Sequence, residues 1–126
     1  MQRIMLRAKL HRATVTEADL NYEGSCGIDA TLLKTAGMLE FERIEIYNVT
    51  NGERFDTYII EAPAGSGAIS LNGAAARRAQ VGDHLIICTY SPVDEQFATT
   101  HLPTVVLLDE ANKVKEVRSF EPRAAR

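Results

Sequence analysis

The stretch Arg43 to Ile60, "RIEIYNVTNGERFDTYII", decides the fold. Two runs rich in β-branched and aromatic residues flank Thr50-Asn51-Gly52-Glu53, where Asn51 and Gly52 can take positive φ, so the segment is expected to form a β-hairpin. Side chains alternate across a strand. Arg54, Asp56 and Tyr58 therefore share one face of the second strand, and Thr57 points the other way unless a bulge intervenes.

Similar runs recur on both sides: "RIMLRAKL", "ATVTEA", "AISLN", "HLIICTYS", "TVVLLD" and "KVKEVRSF", separated by glycine and asparagine turns. So many strands at this spacing imply a closed β-barrel or a sandwich. Two short helices are expected. Asp29 can cap "ATLLKTA", whose Leu32, Leu33 and Ala36 form an apolar stripe ended by Gly37. A second, barely two turns long, is expected over "GAAARRA" from Gly73, followed by a turn at Val81-Gly82-Asp83. Pro92 is expected to open a further short helix through Phe97. The polar tail "EPRAAR" is expected to fray.

The chain has 126 residues and is 45% hydrophobic, which suits one domain with one core and is too small for a two-domain enzyme. Any site that needs more walls must borrow them from another subunit. Lys+Arg 14 against Asp+Glu 17 gives a net charge of -3, and no basic stripe is present to neutralise phosphates, so a nucleic-acid partner is not expected. Cys26 and Cys88 are too few for a disulfide framework and lie in no metal-binding spacing, which implies a reducing compartment and no metal. Charge interrupts the first twelve residues, and no stretch approaches membrane-spanning length. A cytoplasmic protein with no membrane partner is expected.

Ser25 and Cys26 stand side by side in "YEGSCGID", residues 22–29, as candidate nucleophiles. The elbow pattern G-x-S-x-G fails because Glu23 occupies the first glycine position. A papain-like arrangement fails because Glu23 replaces the expected preceding cysteine and no histidine follows at the required distance. His11 or His84 could still reach Ser25 in the fold, because triad members converge in space. The bland alternative is a turn bracketed by Gly24 and Gly27, with Ser25 bonding its own backbone and Cys26 buried. A further chemistry is open to a Gly-Ser pair: the serine hydroxyl attacks the carbonyl of its own preceding residue, which glycine leaves unshielded.

Six motifs occur together in order: "KLHR" at Lys9, "YEGSC" at Tyr22, "NVTNG" at Asn48, "RF.TY" at Arg54, "NGAAA" at Asn72 and "VGD" at Val81. Through them the chain resembles the pyruvoyl-dependent aspartate decarboxylase family, from Met1 to about residue 100. The resemblance implies a mainly β fold, a six-stranded double-psi β-barrel with short helices. It implies a self-processing zymogen forming one domain over 1–126, cut between Gly24 and Ser25 into chains 1–24 and 25–126. The cofactor is then a pyruvoyl group made from Ser25, without PLP or metal, and its ketone serves as the electron sink when L-aspartate loses CO2 to give β-alanine for pantothenate synthesis. Thr57 and Asn72 are at the family's processing positions, and Tyr58 at that of the proton donor. Lys9, Arg54, Thr57, Gly73, Ala74 and Ala75 are at substrate-binding positions, and His11, Tyr22 and Ile86 at supporting ones. A homotetramer with sites between subunits is implied, and a maturation factor is a further candidate partner.

Each residue also has an ordinary alternative: strand charge for Lys9 and Arg54, a packed tyrosine for Tyr58, core for Ile86, a turn asparagine for Asn72. Two positions depart from the family. Gly27 stands where a side chain is common and is expected to loosen the cleavage loop, and Tyr47 replaces a frequent tryptophan while keeping an aromatic body. Decarboxylation of another amino acid such as glutamate, and an unprocessed β-barrel binding module, are the competing functions.

Overall fold

A computed structural model describes residues 1–120, so the tail expected to fray lies outside the described residues. The strands are β1 (Gln2–Thr14), β2 (Glu17–Asp19), β3 (Ser25–Asp29), β4 (Arg43–Asn48), β5 (Arg54–Ala62), β6 (Ile69–Asn72), β7 (His84–Asp94), β8 (Thr104–Leu108) and β9 (Val114–Arg118). Helix α1 (Ala30–Ala36) follows β3, a 3-10 turn (Gly73–Arg77) follows β6, and α2 (Glu95–Ala98) follows β7.

The strands hydrogen-bond in the order β2-β6-β3-β5-β4-β7-β1-β8-β9. Only Val15 and Thr16 separate β1 from β2, and the Thr16 N–H bonds the Ile69 carbonyl at 2.9 Å. One nearly continuous chain segment thus occupies both ends of the run β2 to β1, which closes the sheet into a ring. Counted as one staff, β1-β2 joins β6, β3, β5, β4 and β7 to make six, and the β8-β9 hairpin is added outside on β1. Parallel pairs β2·β6 and β3·β5 sit among antiparallel ones, as crossing connections require. This is the mainly β, double-psi barrel class with short helices that the resemblance implied.

The interior follows from period-two alternation. Leu10, Ile87, Ile46 and Phe55 form one register row across β1, β7, β4 and β5, and the three aliphatic members are fully buried. Cys26, Ile28, Ile59, Ile69 and Leu71 line the other side at zero exposure. Each large side chain so buried contributes about 1.5–3 kcal/mol.

The β4-β5 hairpin forms as expected, with positive φ at Gly52 alone of the two candidate turn residues. Asp29 caps α1, accepting from the Thr31 N–H at 2.8 Å, and Gly37 ends it in the left-handed conformation. Three expectations need correction. "SCGID" is a fully buried strand between β5 and β6, not a glycine-bracketed turn; its small residues hid a strand that exists through tertiary pairing. Pro92 lies inside β7 and opens no helix, because β7 runs on to Asp94 along β1. The segment from Gly73 makes one 3-10 turn.

Candidate active site

Ser25 begins β3 and pairs with Asn72, the last residue of β6. Because Cys26 and Leu71 face the core, Ser25 and Asn72 share the outer face of the barrel wall. Ser25 is nonetheless only 1% exposed. Its own upstream loop covers it: the hydroxyl donates to the Glu23 carbonyl at 3.3 Å and accepts from Asn72 Nδ2 at 3.0 Å. Asn72 is thus a strand-end amide aimed at the serine.

Gly73 holds the loop in place. Its φ is +65°, and a Cβ there would stand 2.7 Å from the Gly24 nitrogen, 2.8 Å from the Gly24 Cα and 2.8 Å from the Tyr22 carbonyl oxygen. These are backbone atoms that cannot swing aside, so only glycine lets the chain after β6 press against the segment before Ser25. Ala74 is exposed and Ala75 buried beside it. Gly27 does not loosen the loop. It lies in β3 with no positive φ, opposite Ser70, whose Oγ is 2.3 Å from the place of an added Cβ and would have to rotate aside.

The β3·β5 register starts at Cys26 with Ile59, so Ser25 and Tyr58 each stand one residue before the first pair. Along β5, Arg54, Asp56 and Tyr58 are exposed while Phe55, Thr57 and Ile59 are half-buried or buried. Thr57 and Arg54 therefore do lie on opposite faces, with no bulge in the β4·β5 pairing. Tyr58 stands outward on the strand next to Ser25, its ring 6.5 Å from that of Phe41.

The remaining expected residues gather elsewhere on the outer wall. His11, Ile86, Tyr47 and Arg54 form one register row across β1, β7, β4 and β5, and Lys9, Cys88, Glu45 and Asp56 form the next. Ile86 lies outside the core cluster. Neither Lys9 nor Arg54 has an ion-pair partner among the described residues, since Arg43 occupies Asp56. Arg54 lies over the Tyr47 ring at 4.0 Å, beside a shallow cavity of about 200 Å³ lined by Glu45, Tyr47, Arg54, Phe55 and Asp56. The His11 Nδ1 atom is buried without a hydrogen bond, and burial, then Lys9, Arg12 and Arg118, keep its pKa below the usual value.

Lys9 lies on β1 and Ser25 on β3, strands that are not hydrogen-bonded neighbours.

A family model described as "Aspartate decarboxylase" matches residues 1–115. The chain is 78% identical to the aspartate 1-decarboxylase of Bordetella parapertussis over 120 residues, covering 95% of this chain and 98% of that one. It is 69% identical to that of Methylibium petroleiphilum over 120 residues, with 95% and 100% covered. The chain belongs to the aspartate decarboxylase family. Among solved structures, the rationally designed mkDPBB_sym_86 protein is similar at TM-score 0.46 and 15% identity, covering 61% of this chain and 90% of that one.

For a member of the aspartate decarboxylase family, two features escape sequence reading. Phe41 holds φ +72° in the loop after α1 and stands over Tyr58, while its loop is tied down by Arg7 and Thr89 bonding to Glu42. Tyr90 bonds Tyr47, hydroxyl to hydroxyl, at 2.7 Å. Alternation along β7 could have found Tyr90, which lies two and four residues beyond Cys88 and Ile86 on the same face. Nothing local marks Phe41, an aromatic where asparagine or glycine is usual. No helix among the described residues is long and apolar enough to cross a membrane.

Proposed function

We propose that the protein decarboxylates L-aspartate to β-alanine and CO2, feeding pantothenate synthesis, after it cuts its own Gly24–Ser25 bond and turns Ser25 into a pyruvoyl group. The observation that carries this is Ser25 itself: dry, on the outer wall, with Asn72 bonded to its Oγ and the neighbouring peptide wedged against Gly73.

In processing, Ser25 Oγ attacks the Gly24 carbonyl carbon; an ester forms and the Gly24–Ser25 amide C–N bond breaks. Elimination then releases Gly24 as a carboxylate, and hydrolysis of the residue left at position 25 gives the ketone and ammonia. Asn72 fixes the direction of the Oγ lone pairs. Thr57, on the adjacent strand β5, is assigned as the hydroxyl that donates to the oxyanion developing on Gly24.

The surroundings of Ser25 fit a pyruvoyl group, since the Asn72 amide that now donates to Oγ is equally a donor for a carbonyl oxygen. That group supplies a ketone that takes up the substrate amine and accepts the electron pair released with CO2. Tyr58, on the adjacent strand, is the phenol assigned to deliver the proton to the substrate carbon. Arg54 offers a planar two-pronged match to the side-chain carboxylate of aspartate, and Lys9 adds a second cation. As the family resemblance implies, the proposed site is completed between subunits of a homotetramer, one chain supplying Lys9 and another Ser25. Cys26 and Cys88 are both free thiols, in keeping with a cytoplasmic enzyme.

Denaturing mass spectrometry of purified protein tests the proposal. Two fragments meeting at residue 25 are expected from the wild type, and an intact chain with no CO2 release from Ser25→Ala. A wild-type chain that stays whole under all conditions, or a Ser25→Ala protein that still releases CO2, overturns it.

A further inference from the structure

We infer that Tyr47 and Tyr90 are positioning residues that hold the Arg54 guanidinium ready for the substrate carboxylate; this rests on the reading of Arg54 given above. Arg54 is an exposed residue at the start of β5 with no carboxylate partner among the described residues. A free arginine of this kind samples many rotamers and loses that freedom when it grips a ligand. Here its guanidinium carbon lies 4.0 Å from the centre of the Tyr47 ring. Stacking on the ring face confines the plane and leaves the N–H edges free, which is what a two-pronged carboxylate contact needs.

The ring is itself fixed. Its hydroxyl lies 2.7 Å from that of Tyr90 and 3.3 Å from Glu45 Oε1, so three strand residues determine where the platform stands. Burial, followed by the bond to Tyr47, raises the Tyr90 phenol above its usual pKa, so the Tyr90 hydroxyl keeps its proton across the neutral range. Arg43 binds Asp56 on the far side of the cavity and keeps that carboxylate from competing for Arg54.

The test is steady-state kinetics on aspartate with Tyr90→Phe, Tyr47→Phe, their double variant, Tyr47→Leu and Arg54→Ala, each first shown by mass to be fully cleaved at residue 25. Tyr90→Phe and Tyr47→Phe both break the hydrogen bond between the two hydroxyls, and Tyr47→Phe also loses the bond to Glu45, so Tyr90→Phe is expected to raise KM about fivefold at unchanged kcat, Tyr47→Phe at least as much, and the double variant no more than Tyr47→Phe. Tyr47→Leu also removes the ring and is expected to raise KM at least about tenfold. Arg54→Ala is expected to exceed all of them. If Arg54→Ala raises KM while the tyrosine variants stay at wild type, or if the tyrosine variants lower kcat with KM unchanged, the positioning role is overturned and Arg54 keeps its assignment. If Arg54→Ala leaves KM unchanged, the carboxylate assignment itself falls and takes the platform with it.

Discussion

A single missing Cβ decides whether the cleavage loop can sit where it does. At Gly73 the left-handed backbone and the contact with Gly24 and Tyr22 coincide, so alanine there meets two obstacles at once. The strain is worth about 1–2 kcal/mol, and the steric contact moves the bond to be cut. Gly73→Ala is expected to fold and to slow cleavage by roughly one to two orders of magnitude, because small misplacements of reacting groups are that costly. A time course of intact against cleaved mass checks this, and cleavage at the wild-type rate would remove Gly73 from the loop's support. The proposed chemistry at position 25 came from the six motifs of the family resemblance together with the Gly24-Ser25 pair. Gly27 was not legible: glycine beside the serine looks like freedom, and only the pairing with Ser70 and Ile60 shows that it sits inside a strand.

Strand β3 and helix α1 meet at Asp29, the most heavily bonded side chain of that junction. Its carboxylate accepts from the N–H groups of Thr31 at 2.8 Å, Gly65 at 2.9 Å and Gly67 at 2.8 Å, so one residue caps the helix and anchors the loop leading into β6. Burial by itself raises the Asp29 pKa, but the bonds from Gly67, Thr31 and Gly65 outweigh it and hold the group below its usual value. A depressed carboxyl stabilises the fold above its unfolded pKa of about 4, and that stability is lost as pH falls through the lower folded value. Asp29→Asn is expected to lose about 1–3 kcal/mol at pH 7, since one amide N–H then faces a donor. The gap from wild type should shrink below about pH 4. Denaturant titrations at both pH values check it, and a gap independent of pH would show that charge plays no part. The helix was readable from cap, stripe and terminal glycine, all local signals. Strand β3 was not, since its partners β5 and β6 come from more than thirty residues downstream.

At the scale of the whole molecule, closure of the barrel distributes the expected site residues over several strands of its outer wall. If Lys9 and Ser25 of one site come from different subunits, Ser25→Ala and Lys9→Glu proteins, each inactive alone, should recover roughly a quarter of wild-type activity when co-assembled at random. Light scattering should give about four times the chain mass of 13.9 kDa. No recovery in mixed assemblies would place both groups in one subunit's site. The sequence by itself determined the strand-rich fold and the hairpin at Asn51-Gly52, because alternation and turn chemistry are local properties. Only the tertiary structure decided that β1-β2 closes the ring, that Ser25 is dry although it faces outward, and that Arg54 rests on a tyrosine held by Tyr90. Those facts depend on strand order and register, which join distant residues such as 54 and 90 through contacts that no local pattern encodes.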